Sequence, residues 1–190
     1  MSMNTKHFLI FLIVISSYFI INQLNYDGQI YDLGINLDNK IPLITWFVYF
    51  YLVYFVLILI PFFKSNDTKK ITLQYCIAVI ISAFFFIFLP TAIYRPLIEN
   101  INLNNILINY IHILDKPYNL FPSLHASLLT LAFIFLLKHE KNLAYKLSPL
   151  FILSLVSTLF IKQHYILDLA GGILIAFIAV IVANKFEKVI

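Results

Sequence analysis

The stretch Ile166-Leu-Asp-Leu-Ala-Gly-Gly-Ile-Leu-Ile-Ala-Phe-Ile-Ala-Val-Ile-Val-Ala183 carries one charged residue, Asp168, in eighteen. A helix needs about 20 mostly apolar residues to cross a bilayer. This run is apolar on every side, whereas a membrane barrel strand alternates with a period of two. Five runs of the same character precede it: Phe8 to about Ile21, Ile44 to Phe63, Ile71 to Tyr94, Leu124 to Leu137 and Leu147 to Ile161. The expected fold is therefore all-α: a polytopic membrane protein of six transmembrane helices in a bundle, one domain over residues 1–190.

Composition points the same way. Of 190 residues, 62% are hydrophobic and 12% charged, with mean hydropathy +0.91. An average soluble chain carries roughly 25% charged residues. Nineteen Phe and twelve Tyr against four Gly exclude a disordered or low-complexity chain. The lone Cys76 can form neither an internal disulfide nor a cysteine zinc site. Lys6 ahead of the first run looks like the start of a secretory signal. However, Ser16 and Ser17 lead into Tyr18-Phe19-Ile20 with no small-residue cleavage site, so the run reads as a retained anchor.

The connections carry the charge. Lys6 precedes run one, and Asp27, Asp32, Asp38 and Lys40 follow it. Lys64, Asp67, Lys69 and Lys70 separate runs two and three; Lys138, Glu140, Lys141 and Lys146 separate four and five; Lys185 and Lys188 follow run six. Lysine concentrates in alternate connections. The positive-inside rule then puts both termini in the cytoplasm and the connections after runs one, three and five on the extracytoplasmic face. The net charge of +4 is mostly cytoplasmic anchoring, and no nucleic-acid partner is expected. Between runs three and four, Asn102, Asn105, Asn109 and His112 recur at helical spacing, with Leu103, Ile106, Tyr110 and Leu114 among the apolar residues between them. That is a short amphipathic helix suited to the interface plane, with His112 in its polar stripe.

Polar residues at membrane depth are costly and generally functional. Those of note sit in two of the extracytoplasmic connections: Tyr94-Arg95-Pro96 and Asp115 to His125, then Ser157 and Lys162-Gln163-His164-Tyr165-Ile166-Leu167-Asp168. His164 and Asp168, four apart, share one helix face. A carboxylate there fixes the imidazole tautomer and stabilises the charge it acquires. A buried ion pair, or a metal site completed by His125, are the competing readings. Ser123 is a good N-cap, and the free N–H groups of the turn it opens favour an anion, with His125 close by as a proton donor; a plain capped helix is the alternative. Arg95, the only arginine, offers a planar fork for phosphate oxygens or a side chain that snorkels to headgroups.

Arg-Pro at 95–96, Pro-Ser-x-His at 122–125 and Ser-x6-His-x3-Asp at 157–168 together resemble the type-2 phosphatidic acid phosphatase superfamily, over a core of about residues 90–172. The stretches ending in His125 and Asp168 look most like its inositol phosphorylceramide synthase-like branch. The resemblance implies an integral enzyme of the cell (inner) membrane with an extracytoplasmic site and no metal or other cofactor. His164 would be the nucleophile that forms a phosphohistidine, and Asp168 would orient it across from His125 at a phosphorus-sized gap. His125 would protonate the leaving alcohol, and Arg95 and Ser123 would hold phosphoryl oxygens. Two of the family's usual cations are missing: Phe88 stands where lysine is usual and Thr158 where arginine is. Lys162 or Lys116 is the candidate substitute. The implied activity is a lipid phosphate phosphatase, with a lipid phosphotransferase or a non-catalytic binder of anionic lipid as alternatives.

Overall fold

The computed structural model describes residues 3–23, 29–64 and 68–187; Asp27, Asp67 and Lys188 lie outside them. The described residues form eight α-helices and no β-strand: α1 Met3–Asn22, α2 Val48–Leu57, α3 Ile60–Lys64, α4 Lys69–Phe88, α5 Leu103–Leu114, α6 Leu124–His139, α7 Lys141–Phe160 and α8 Ile166–Glu187. Among the described residues, four stretches are helical, long and apolar enough to cross a membrane: Thr5–Asn22, Lys69–Phe88, Lys141–Phe160 and Ile166–Phe186. With these spans and its apolar exterior, the chain is an integral membrane protein.

The second apolar run is helical in two pieces. Pro61 has no N–H for the Leu57 carbonyl and its ring crowds that turn, so α2 stops and α3 starts after Ile58 and Leu59. The Tyr75 hydroxyl donates to the Ile58 carbonyl at 2.8 Å, satisfying a group near the break. The third run was expected to continue to Tyr94 but its helix ends at Phe88, because Pro90 biases Leu89 to extended backbone. The helix of the fifth run, α7, begins earlier than its apolar residues, at Lys141. Within it, Pro149 leaves the Tyr145 carbonyl without its usual donor, and the Ser148 hydroxyl takes that place at 2.9 Å.

The expected amphipathic helix is α5, capped by Asn102, whose Oδ1 accepts the Asn105 N–H at 3.0 Å. Its polar stripe, however, faces protein rather than water. Asn105 Nδ2 donates to the Glu99 carbonyl and Asn109 Nδ2 to the Ile98 carbonyl, both at 2.7 Å. Leu103, Ile106, Tyr110 and Ile113 are the exposed face.

α6 packs on α7 and α8, α4 on α8 and α1, and α2 on α7. The core between them includes Tyr75, Phe86, Leu128, Leu131, Ala132, Ala176 and Ala179. Gly172, Ala176, Ala179 and Ala183 lie on one buried face of α8, and small residues of this kind let helix backbones approach closely in a membrane. The Ser127 hydroxyl lies 2.9 Å from the Gly172 carbonyl and 3.0 Å from that of Ser123, so its proton spans the contact.

The connections after α1, α4 and α7 meet at one end of the bundle. Tyr31 bonds through its backbone to Pro90 and Ala92, and Asn119 N–H reaches the Thr91 carbonyl at 3.0 Å. The Thr91 hydroxyl accepts the Leu120 and Phe121 N–H groups at 3.1 and 3.0 Å, fixing the turn before the Phe121–Pro122 cis peptide. Asn22, fully buried at the end of α1, accepts from Lys116 N–H at 2.9 Å and donates to the Tyr118 carbonyl at 3.2 Å.

A methyl at position 172 would stand 2.2 Å from the Ser123 carbonyl oxygen. Backbone cannot swing aside, so Gly172→Ala must push α6 off α8 and should destabilise the fold by about 1–3 kcal/mol. A methyl at Gly171 meets the Phe121 ring instead, its nearest atom 2.5 Å away. That ring can turn, so Gly171→Ala should cost less. Thermal unfolding of the two variants in detergent checks the order; equal losses would refute it.

Candidate functional site

The site is assembled where the first turns of α6 and α8 touch. Ser123 caps α6, its Oγ accepting the Ala126 N–H at 3.2 Å, and its own N–H donates to the Asp168 carbonyl at 2.9 Å. Two residues into the helix, His125 faces the turn between α7 and α8. Lys162 adopts a left-handed conformation there (φ 59°), reversing the chain. The Thr158 carbonyl then accepts the N–H groups of Gln163 and His164 at 2.8 and 3.2 Å.

The geometry of the two histidines is direct. His164 Nδ1 lies 3.4 Å from Asp168 Oδ2, and its Nε2 lies 3.1 Å from His125 Nδ1. His125 Nε2 lies 2.9 Å from the Tyr51 hydroxyl. With both rings neutral, one assignment satisfies the chain. A carboxylate only accepts, so His164 carries its proton on Nδ1. Its Nε2 then accepts from His125 Nδ1–H, and His125 Nε2 accepts from Tyr51. His164 and Asp168 are 6% and 0% exposed. Asp168 Oδ2 also accepts the Tyr165 N–H at 2.8 Å, while Oδ1 has no hydrogen-bond partner among the described residues.

The gap expected between the imidazoles is closed. At 3.1 Å the two nitrogens share one hydrogen bond, because the backbone bond from Ser123 to Asp168 and the contact at Gly172 draw α6 onto α8. A phosphoryl group can reach His164 Nε2 only by parting the rings.

Arg95 is held among main-chain carbonyls. Its Nε donates to Lys162 O at 3.3 Å, Nη1 to His112 O and Asp115 O at 3.3 and 2.6 Å, and Nη2 to Gln163 Oε1. It thus stitches the turn after α5 to the turn before α8, with four of its five N–H donors engaged. Burial pushes its guanidinium down, opposed by the nearby Asp115 carboxylate. Asp115 is raised by burial, against the Tyr18 hydroxyl that donates to it at 2.5 Å and the charge of Arg95. Lys162 Nζ donates to the Ile41 carbonyl at 2.5 Å, and partial burial lowers its ammonium. The Lys116 Nζ reaches the Gln23 carbonyl at 3.2 Å. Of the two positions where the resemblance leads one to expect cations, Phe88 is exposed at the end of α4 and Thr158 is buried, its hydroxyl on the Leu155 carbonyl.

Two cavities reach the histidines. An apolar cleft of about 380 Å³ between α1, α2 and α5 is lined by Phe11, Ile15, Leu52, Phe55 and Leu114 and ends at Asp115 and His125. A more polar pocket of about 320 Å³ lies beside His164 and is lined by Asp38, Asn39, Ile41, Tyr94, Lys162 and Tyr165. Among the described residues, no group of three His, Cys, Asp or Glu side chains is placed to hold a metal ion.

A family model of the PAP2 superfamily matches residues 38–182, more than half of the chain. The chain belongs to the PAP2 superfamily. No curated protein and no solved structure matches it. Membership in the PAP2 superfamily supports an enzyme of phosphatase or phosphotransferase type that acts on lipid phosphates, and the matched stretch contains Arg95, Ser123, His125, Lys162, His164 and Asp168. It also contains two site residues that the sequence reading missed, Asp38 and Tyr51. Asp38 Oδ1 accepts the Ile166 N–H at the start of α8 at 2.9 Å, and its Oδ2 accepts the Ile35 N–H at 2.8 Å. A carboxylate at a helix N-terminus is favoured by the orphan N–H groups and the dipole.

His112 Nε2 lies 2.9 Å from the Ile161 carbonyl and so carries its proton there. Burial, together with the charge of Arg95, pushes this imidazole down to about 4 from 6.5. The folded state therefore refuses a proton that the unfolded chain takes. The stability contributed is present above pH 6.5 and lost as pH falls toward 4, by about 3 kcal/mol. His112→Gln keeps a donor for Ile161 and cannot titrate. Its unfolding midpoint should fall less than wild type between pH 7 and 4; parallel curves would refute this.

Proposed function

We propose that this protein is a membrane lipid phosphate phosphatase that works through a phosphohistidine on His164. The observation that carries the lipid part of the reading is the apolar cleft between α1, α2 and α5, which ends at His125. An acyl or prenyl chain fits its lining, which includes His125, and behind His125 stand His164 and the Asp168 carboxylate. In this reading the chain crosses the membrane six times, with both termini cytoplasmic and the site at the extracytoplasmic face of the cell membrane.

His164 Nε2 attacks phosphorus, the bond to the lipid alcohol breaks, and His125, first protonated from solvent on its second nitrogen, gives its Nδ1 proton to the departing oxygen and is left neutral. Asp168, 3.4 Å from Nδ1, balances the positive charge that His164 acquires. Water then attacks the phosphohistidine, His125 Nδ1 takes its proton, and phosphate leaves. The equatorial oxygens turn to the polar pocket with Lys162, to the amide groups at the start of α6, and to the field of Arg95, which acts from its seat among carbonyls. Phosphatidic acid, phosphatidylglycerol phosphate and polyprenyl diphosphates are the candidate substrates. No metal is required by this chemistry.

The same cleft favours a second reading, transfer to a lipid alcohol, since the acceptor must come to the place beside His125 that the first alcohol leaves.

A panel of lipid phosphates offered to the purified protein tests both. Wild type should release phosphate, His164→Ala should not, and Asp168→Asn should lose roughly tenfold to a thousandfold in kcat. Strict dependence on an added alcohol selects the transferase. Binding of anionic lipid without turnover of any substrate refutes catalysis. EDTA should leave the rate unchanged, and Lys162→Met should raise KM; an unaltered KM removes Lys162 from the site.

A further inference from the structure

His125 is seated from two sides. On one it meets His164; on the other it lies against α2, where Tyr51 and Tyr54, three residues apart, present one face. Their ring centroids are 5.2 and 4.8 Å from that of the imidazole. Tyr51 is 3% exposed, and its hydroxyl is 2.9 Å from His125 Nε2. The Gln163 amide, gripped by Arg95, lies beside that hydroxyl without reaching hydrogen-bond geometry.

A histidine that serves a leaving group must present one chosen nitrogen. Turning the imidazole over about its Cβ–Cγ bond would replace Nδ1 by a carbon and break the bonds to Tyr51 and His164 together. A hydroxyl both donates and accepts. It can therefore hold Nε2 whether His125 is neutral, by donating to it, or protonated, by accepting from Nε2–H. The partners of the two histidines differ in kind. Asp168 is a charge that stabilises a positive His164, as a nucleophile needs. Tyr51 is neutral and adds no charge that would keep the proton on His125.

We propose that Tyr51 is a positioning residue for His125, fixing its ring so that Nδ1 is the nitrogen that protonates the departing alcohol. This rests on the reading of His125 as proton donor. The step balances: the N–P bond to His164 forms and the P–O bond to the alcohol breaks. The imidazolium Nδ1 proton goes to the oxygen, and His125 is left neutral with Nε2–H on Tyr51. The second proton of the imidazolium comes from solvent.

The test compares full-length wild type and Tyr51→Phe, which retains the ring, on two substrates. Phosphatidic acid expels an alkoxide that needs a proton; 4-nitrophenyl phosphate expels a stable phenolate that does not. The variant should lose about 10- to 100-fold in kcat/KM on phosphatidic acid and stay within about threefold of wild type in kcat/KM on the aryl ester, a ratio that reports the departure of the leaving group and not the later hydrolysis of the phosphohistidine, in which His125 also acts. Equal losses on both, or none on either, overturn the proposal. A readout independent of turnover is the imidazole ¹⁵N spectrum of the resting protein. His125 should show a protonated Nδ1 and a hydrogen-bonded Nε2 in wild type, and an altered pattern in Tyr51→Phe; an unaltered pattern overturns the proposal. If wild type turns over neither substrate, the phosphatase reading fails and the spectrum alone decides Tyr51.

Discussion

The backbone hydrogen bond from Ser123 N–H to the Asp168 carbonyl, 2.9 Å long, sets the distance between the two helices that carry the histidines. It joins the first turn of α6 to the first turn of α8 at the end where the loops meet. The absence of a side chain at Gly172 makes it possible, since a Cβ there would occupy the Ser123 carbonyl. The candidate site hangs from that joint. His125 lies two residues beyond Ser123, Asp168 supplies both the accepting carbonyl and the carboxylate, and His164 is one turn before it. A pair of turns fixed through main-chain atoms is stiffer than any arrangement of long side chains, because neither partner has rotamers to lose.

Arg95 performs a related task for the loops. A buried guanidinium is expensive to desolvate, and here main-chain oxygens of residues 112, 115 and 162 compensate it. Such carbonyls would otherwise be unsatisfied where turns leave helices. The cation thus serves the fold and the site at once. It binds the turn after α5 to the turn before α8 and leaves a permanent positive charge near the histidines. Asp38 is its acidic counterpart, tying the connection after α1 to the N-terminus of α8 across 128 residues.

Local features were legible in the residue order. The i, i+4 pair His164 and Asp168, the cap at Ser123, the amphipathic helix at Leu103–Leu114 and the apolar runs all follow from periodicities of a few residues. What the order concealed was long-range. A tyrosine such as Tyr51 inside an apolar run reads as packing, and nothing nearby reveals that its hydroxyl meets an imidazole 74 positions on. The carbonyls around Arg95 belong to residues whose side chains say nothing about them. The stripe of Asn105, Asn109 and His112 correctly marked a helix but not its orientation, since polar groups turn toward unsatisfied carbonyls as readily as toward water. The break at Ile58 and Leu59 was hidden for a different reason: hydropathy averages over a run and does not register a single proline at position 61.

The cleft that ends at His125 has a stereochemical consequence. In a double displacement through His164, the lipid oxygen departs from the apex opposite the imidazole, and the next oxygen must arrive at that same apex. Two inversions in sequence leave a chiral phosphorus with its configuration retained. Under the proposed mechanism, with that apex on the apolar cleft that His125 lines, a freed alcohol that lingered there would compete with water for the phosphorylated histidine, and some turnovers would run back to the starting ester.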